Sequence, residues 1–185
     1  MRNNQEIILG VCGSVAIYKA LEVIRRLREE GFLITVIMTK EAQELIRPLL
    51  FQNLSQNKVY TDLFSLPEAW EIQHVSLAEK ADLILVLPAT ANIIAKVASG
   101  LCDDLLSCVI LATKAEVLFC PAMNENMYKN KITQENIKKL KKIGYKFVEP
   151  IKGRLACGKI GFGHLADIET IIKEVKNILN KNLAR

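Results

Sequence analysis

The sequence predicts a Rossmann-like, doubly wound α/β sandwich with a mainly parallel sheet, and three observations support that fold class. Short apolar segments alternate with amphipathic segments of helical period along the chain. Continuous apolar segments are typical of strands that helices cover on both faces. The chain has 185 residues, half of them hydrophobic, which is enough for one sizeable core. We therefore expect a single domain over residues 1–185.

The apolar segments predict the strands of this sheet. In chain order the strands are Ile7–Val11, Leu33–Met38, a short strand near Val59, Leu83–Leu87, Val117–Cys120 and Lys146–Glu149. The segment between the second strand and the Leu83 strand, residues 40–80, is mixed and predicts helix, loop and that one short strand.

Apolar residues at helical spacing predict the connecting helices. Ala16, Ala20, Val23, Ile24 and Leu27 share one face of the first helix, and Gly31 ends it. Further helices are predicted at Ala91–Ser99, at Asp103–Thr113, after Thr133 as a cap with Ile137, Leu140 and Ile143 inward, and after Asp167 as a cap.

The net charge and the cysteine content of the chain limit which classes of function are expected. The net charge of +5 comes largely from lysines after Lys129, which fall on the outer face of a predicted helix. No aromatic residues interleave with them, so a solvated helix face is favoured over nucleic-acid binding, although a positive surface would attract a phosphorylated small molecule. Five cysteines without a C-x-x-C pair, together with two histidines, support neither a disulfide framework nor a metal site.

The absence of a long apolar run favours a cytoplasmic protein. Residues 83–95 are apolar, but Pro88, Thr90 and Asn92 interrupt them before a membrane-spanning length is reached. Together with the unpaired cysteines, this predicts a soluble protein in a reducing cytoplasm that does not contact a membrane.

An uncharged amide follows the Val117–Cys120 strand in the segment Pro121-Ala122-Met123-Asn124. Proline biases the residue before it toward extended geometry, so Asn124 is expected on the loop or first helical turn beyond the strand. Open α/β sheets bind ligands at the carboxyl ends of their strands. Asn124 is therefore a candidate ligand-binding residue, and a simple helix cap is the alternative.

Two other strand ends carry small and hydroxylated residues. The first turn, Gly10–Ala16, lacks the third glycine spacing of the dinucleotide fingerprint but offers amides and a hydroxyl to one phosphate. The turn Pro88–Asn92 leads into a helix in the same way. A plain chain reversal at the first turn, and ordinary helix caps at Thr90 and Asn92, are the alternatives.

Taken together, these segments resemble the homo-oligomeric, flavin-containing cysteine decarboxylases. The resemblance covers nearly the whole chain and rests on five ordered segments. They are Gly10–Lys19, Gln73–Leu77, Pro88–Ser107, Pro121–Tyr128 and Gly153–Asp167. It implies bound FMN, and a site shared between the subunits of a trimer, which some relatives assemble into dodecamers. It assigns the cofactor to Gly13, Ser14, Thr39, Thr90 and Asn92.

The resemblance also implies a reaction. Similar enzymes convert 4′-phosphopantothenoylcysteine to 4′-phosphopantetheine in coenzyme A biosynthesis through thioaldehyde and enethiol intermediates, with no net redox change. In many bacteria the decarboxylase is fused to a phosphopantothenate–cysteine ligase, which is therefore an expected fused or separate partner. The alternatives within the family are a peptidyl-cysteine decarboxylase, a flavin prenyltransferase, and a non-catalytic FMN-binding regulator.

The resemblance implies roles for individual residues. His74 is expected to act as base or charge-assisted donor, Asn124 to hydrogen-bond the substrate, and Cys157 to supply a proton to the enethiol. Met127, Ala156 and Gly158 are assigned to substrate binding, and residues 150–166 to a glycine-rich flap over it. From the residues alone, His74 as a cap or surface residue and Cys157 as a buried inert thiol remain alternatives.

The chain departs from the family pattern at two places. His164 and Leu165 stand where many relatives carry arginine and methionine, which would weaken a phosphate or carboxylate contact there. Cys12 stands in the first turn where serine is frequent.

Overall fold

The computed structural model describes residues 5–65, 72–156 and 158–183. Within these residues, six strands form one parallel sheet in the order β3-β2-β1-β4-β5-β6, and two more pair antiparallel as a separate hairpin. The strands are β1 (Glu6–Val11), β2 (Leu33–Met38), β3 (Val59–Tyr60), β4 (Leu83–Ala89), β5 (Glu116–Pro121), β6 (Lys146–Phe147), β7 (Ile151–Arg154) and β8 (Ile160–His164). The predicted α/β fold with a mainly parallel sheet is confirmed.

Helices connect the strands and cover the sheet. They are α1 (Tyr18–Glu29), α2 (Lys40–Gln43), α3 (Pro48–Ser55), α4 (Gln73–Lys80), α5 (Ala91–Ser99), α6 (Leu105–Ala112), α7 (Glu125–Lys129), α8 (Lys131–Lys142) and α9 (Ile168–Leu183). A short 3-10 turn, Val15–Ile17, leads into α1. Among the described helices, none is long and apolar enough to span a membrane.

The core consists of two apolar layers, one on each face of the sheet. Ile7, Leu9 and Val11 of β1 point to the layer that α1, α3 and α9 cover, whereas Ile8 points to the layer under α4, α5, α6 and α8. Successive strand residues alternate between the faces, so a sheet covered on both sides needs apolar residues at every position. This explains why the strands read as unbroken apolar runs.

Local sequence signals placed most element ends correctly. Gly31 ends the first helix with a positive φ of 91°, and Asp104 caps α6 by accepting a hydrogen bond from the Ser107 amide at 2.8 Å. The β4 strand continues beyond the predicted Leu87 to Ala89 through a cis Leu87–Pro88 peptide.

Three expectations about local structure were wrong. Asn130, rather than Thr133, caps α8, because its Oδ1 accepts a hydrogen bond from the Ile132 amide at 2.9 Å while Thr133 is buried inside the helix. Ile143 does not point inward but is 65% exposed, since the helix ends just before it. The segment expected to be a glycine-rich loop contains the β7–β8 hairpin.

The strand order places a ligand crevice between β1 and β4. The chain runs outward from β1 to β2 and β3 on one side, then returns to add β4, β5 and β6 on the other. Connections on the two sides leave the sheet toward opposite faces, which opens a crevice at the carboxyl ends of the two central strands. The turns after β1, β4 and β5 all end at this edge.

Candidate functional site

A cavity of about 860 Å³ lies at this carboxyl edge. The turns after β1, β4 and β5 line it from the body of the sheet, and the β7–β8 hairpin lines it from outside. Its described lining residues are Gly13, Ser14, Val15, Ala16, Tyr18, Lys19, Glu41, Thr90, Ala91, Asn92, Ala122, Met123, Asn124, Met127, Arg154, Leu155, Ala156, Gly158, His164 and Leu165. Three of the segments singled out in the sequence therefore meet here, together with part of the predicted flap.

The turn after β1 is fastened to the turn after β5. The Ser14 hydroxyl donates to the Ala122 carbonyl at 3.0 Å and accepts from the Ala16 amide at 3.4 Å. Gly13 packs so closely against α2 that an added Cβ would lie 2.5 Å from the Cβ of Glu41. The predicted cofactor residues Gly13 and Ser14 thus stand on a turn that is held rigidly over the sheet.

The turn after β4 brings a second helix N-terminus to the cavity. Thr90 caps α5, and its hydroxyl accepts from the Ile93 amide at 3.4 Å. Asn92 is exposed in the first turn of that helix. Free backbone amides at helix N-termini favour anionic groups such as phosphates. Thr90 therefore caps the helix, as the alternative expectation had it, and also lines the cavity.

Asn124 follows β5 and is the N-cap of α7. Its Oδ1 accepts from the Asn126 amide at 2.9 Å. The same side chain lines the cavity and is exposed, so its Nδ2 can donate to a ligand while Oδ1 caps the helix. Met127, one turn further along the chain, adds an apolar surface to the same wall and is 49% exposed.

Three residues predicted for the site do not appear in the described cavity wall. Thr39 is buried at the start of α2, where its hydroxyl accepts from the Ala42 amide at 3.4 Å. His74 is half-buried in the first turn of α4, on the face of the sheet that α5 and α6 cover. Cys157 lies outside the described residues, although its neighbours Ala156 and Gly158 line the cavity.

The β7–β8 hairpin is attached to the body through β8. The Met123 amide donates to the Gly163 carbonyl at 3.1 Å, and the Phe162 amide donates to the Glu125 carboxylate at 3.2 Å. Gly163 has a φ of 119°, and a Cβ there would overlap the Met123 carbonyl oxygen. Only glycine permits both that backbone conformation and that close approach.

Nearly the whole chain matches a known family. The chain matches the Flavoprotein family over residues 1–180. It belongs to that family.

Curated relatives of this flavoprotein are named for a decarboxylase or for coenzyme A biosynthesis. The "probable phosphopantothenoylcysteine decarboxylase" of Streptococcus mutans is 44% identical over 177 residues, which are 95% of this chain and 99% of the relative. The "coenzyme A biosynthesis bifunctional protein CoaBC" of Borreliella burgdorferi is 44% identical over 181 residues, which are 98% of this chain but 46% of the relative. The flavoprotein thus spans about half the length of that bifunctional relative.

Solved structures with the same fold carry related names. An "FMN-dependent cysteine decarboxylase SpaF" superposes with a TM-score of 0.84 at 29% identity, covering 96% of each chain. A "PPC decarboxylase" variant complexed with pantothenoylaminoethenethiol superposes with a TM-score of 0.83 at 28% identity, covering 94% of this chain and 97% of that one. The resemblance to flavin-containing cysteine decarboxylases is confirmed.

Sequence reasoning missed the basic residues of the cavity wall. Lys19 and Arg154 line it, and neither has a carboxylate partner among the described residues, whereas Glu41 is the acidic residue of the described lining. One signal could have revealed Lys19: it is a cation in the first turn of α1, a position where the helix dipole favours acidic residues.

Two of the buried cysteines of this flavoprotein are not candidates for chemistry. Burial raises the pKa of the Cys12 thiol to about 12, and burial also raises the pKa of the Cys120 thiol far above its usual range. A thiol reacts as its thiolate, which these two do not form near neutral pH. Within the described residues, no group of three or more histidine, cysteine or acidic side chains could hold a metal ion.

Proposed function

We propose that this flavoprotein is an FMN-dependent decarboxylase that converts 4′-phosphopantothenoylcysteine to 4′-phosphopantetheine in coenzyme A biosynthesis. One observation carries the proposal: strand-end residues from three separate segments, including Ser14, Thr90 and Asn124, line one cavity at the carboxyl edge of the sheet. The match to the Streptococcus mutans relative along nearly its whole length adds support for this substrate.

The residues of the cavity fit FMN. Two helix N-termini, those after Ser14 and Thr90, lie at the cavity and suit a phosphate. The apolar surfaces of Met123, Met127 and Leu165 suit a flat ring system. We assign the cofactor to the predicted residues Gly13, Ser14, Thr90 and Asn92, which line the cavity, and to Thr39, which is buried two residues before Glu41 of the cavity wall. When bound, FMN supplies reversible two-electron redox chemistry.

The remaining cavity residues position the substrate. Asn124 donates a hydrogen bond from Nδ2 to the substrate carboxylate, which orients that group without adding a charge that would overstabilise it. Met127, Ala156 and Gly158 form the wall around the cysteine portion of the substrate. Cys157 donates the proton at the carbon atom that is reduced after carbon dioxide has left.

We further propose that the site is completed in a homo-oligomer, a trimer or a dodecamer built from trimers. His74 is expected at the reacting group, yet it lies outside the described cavity wall of its own chain. It stands between two exposed apolar residues, Ile72 at 66% and Val75 at 36% exposure. Adjoining exposed apolar side chains can form an interaction surface, which supports an interface at which His74 serves the cavity of a neighbouring copy.

The setting of the reaction follows from the same proposal. The enzyme works in the cytoplasm, and the phosphopantothenate–cysteine ligase that makes its substrate is a fused or separate partner. The bifunctional Borreliella burgdorferi relative supports this arrangement, because the matched region is 46% of its length.

The proposal is tested with purified protein and 4′-phosphopantothenoylcysteine. We expect a yellow protein that releases carbon dioxide and forms a product lighter than the substrate by the mass of one carbon dioxide molecule, measured by mass spectrometry. Cys157→Ser should retain FMN and carbon dioxide release but accumulate the unsaturated thiol in place of phosphopantetheine. A colourless protein that does not take up FMN, or an unchanged substrate mass, contradicts the proposal.

A further inference from the structure

The last residue of β8, His164, connects the hairpin to the body of the protein at the cavity. Its Nε2 lies 3.0 Å from Lys19 Nζ on α1, and its Nδ1 lies 3.1 Å from the carbonyl oxygen of Arg154 on β7. The ring packs on Gly153, where a Cβ would be 2.8 Å from the ring Cγ. The ring is therefore confined between α1 and β7.

These contacts fix where the proton of the His164 ring lies. The Lys19 ammonium has only donors, so His164 Nε2 must accept its hydrogen bond. Nδ1 then carries the ring proton and donates it to the Arg154 carbonyl. In this arrangement the imidazole holds the ammonium in place without cancelling its charge.

The position of Lys19 does not serve the stability of the helix. Lys19 is the second residue of α1, near the positive end of the helix dipole, where a cation is unfavourable. It is half-buried and, within the described parts of the chain, has no carboxylate partner. Residues that break a local rule in this way are expected at functional sites.

We infer that His164 is a positioning residue that aims the Lys19 ammonium at an oxyanion of the substrate. This inference rests on the proposed decarboxylase function and deepens it. The ammonium keeps two N–H donors beyond the one that His164 accepts, and it faces a cavity whose described wall also carries Arg154. Phosphopantothenoylcysteine offers two such oxyanions, a phosphate and a carboxylate.

The test measures ligand binding as well as turnover in the FMN-loaded enzyme. His164→Ala removes the acceptor, and His164→Gln keeps an acceptor oxygen. Lys152→Ala is the matched control, because it removes a cation from the same hairpin that does not line the described cavity. Each protein is titrated calorimetrically with phosphopantetheine, which has the phosphate alone, and with pantetheine, which has neither oxyanion. The KM for pantothenoylcysteine, which has the carboxylate alone, completes the set.

We expect His164→Ala to weaken binding about tenfold for whichever ligand carries the recognised oxyanion, with pantetheine binding and kcat little changed. A loss on phosphopantetheine identifies the phosphate, and a rise in KM for pantothenoylcysteine identifies the carboxylate. His164→Gln should recover most of the affinity, and Lys152→Ala should match the wild type.

A double-mutant cycle separates positioning from a general effect on the hairpin. In a Lys19→Met background, His164→Ala should cost nothing further, because the residue acts through Lys19. The inference is overturned if the loss persists in that background, if pantetheine weakens equally, or if His164→Ala releases FMN instead. A wild-type enzyme that neither binds nor converts any of these compounds overturns the proposed function itself.

Discussion

The parallel sheet and the β7–β8 hairpin both lie at the cavity, but the strands of the sheet are buried and the hairpin is partly exposed to solvent. Every residue of β4 is buried, whereas Ile160 in β8 is 70% exposed and Phe162 is 43% exposed. The strands of the sheet are fixed by two apolar layers. The hairpin contacts the body through a few polar groups: the Met123 amide, the Glu125 carboxylate and the Lys19 ammonium.

This difference separates two tasks within one site. Burial of apolar area dominates folding stability, so the sheet and its helices should carry most of the free energy of unfolding. Elements with few buried contacts open at low cost and are the ones that ligands control. Substitutions in the sheet should therefore change stability, and those in the hairpin should change ligand handling.

The largest effect is expected from Phe119→Ala in β5. Phe119 is fully buried, stacks on Phe147 with ring centroids 5.1 Å apart and meets Tyr145 edge-on at 5.9 Å. Its truncation should lower the free energy of unfolding by about 4 kcal/mol. Phe162→Ala in the hairpin, the matched control, should cost less than about 1 kcal/mol because that ring is partly exposed. Equal shifts of the urea unfolding midpoint in the two variants would contradict the expectation that the sheet, and not the hairpin, carries the stability.

A medium effect is expected from Asp104→Ala at the edge of the cavity-bearing body. Asp104 caps α6 and accepts from Lys96 Nζ at 2.7 Å. Partial burial alone would raise its pKa, but the hydrogen bonds from Lys96 and the Ser107 amide outweigh it and lower the pKa. The variant should lose about 1–2 kcal/mol at neutral pH.

The pH dependence of that loss has a definite sign. A lowered folded-state pKa stabilises the protein above the unfolded value of about 3.9, and this contribution disappears as the pH falls through the folded value. The difference in unfolding free energy between wild type and Asp104→Ala should be constant from neutral pH down to about pH 5 and shrink in more acidic buffer. A difference that grows on acidification is incompatible with the assigned hydrogen bonds.

The smallest effect on stability is expected from Glu125→Gln, which weakens the attachment of the hairpin. Glu125 accepts from the Phe162 amide and pairs with Lys129 Nζ at 2.7 Å, and the Lys129 hydrogen bond followed by that amide lowers the pKa of its carboxyl. The unfolding midpoint should hardly move, since the carboxylate is partly open to solvent. Hydrogen exchange at the Phe162 amide should become faster, with the Leu85 amide as the protected reference.

An unchanged exchange rate at Phe162 would show that other contacts hold the hairpin. In that case the Glu125 carboxylate would not account for the attachment of β8, and the hairpin could not be described as held mainly by polar contacts.

The sequence allowed the sheet to be predicted better than the hairpin, for a physical reason. Strands such as Ile7–Val11 can be recognised in the sequence because both faces of each strand need apolar residues. Glycine at 153, 161 and 163 suggested a loop, but these glycines allow β7 and β8 to approach His164, Glu125 and the Met123 carbonyl. A close approach depends on the residue that the glycine meets, and the sequence of the glycine-containing segment does not identify that residue.

The candidate site was predictable where strand ends carry a recognisable motif. Ser14, Thr90 and Asn124 each follow a strand of the sheet, which is why the sequence placed them at one edge, and all three line the cavity. Lys19 and Arg154 were missed because a single cation on a helix or hairpin looks like an ordinary surface residue. Thr133 was mistaken for a cap because Asn130 satisfies the first amides of α8 three residues earlier.

The Ser14–Ala122 hydrogen bond joins residues 108 positions apart, and the Lys19–His164 contact joins residues 145 apart. During synthesis the first strand and its turn leave the ribosome long before either partner exists. The nascent chain can pair its early strands, but the wall of its cavity is incomplete until the β7–β8 hairpin has been translated. Completion of the ligand cavity is thus a late event in the biogenesis of this polypeptide.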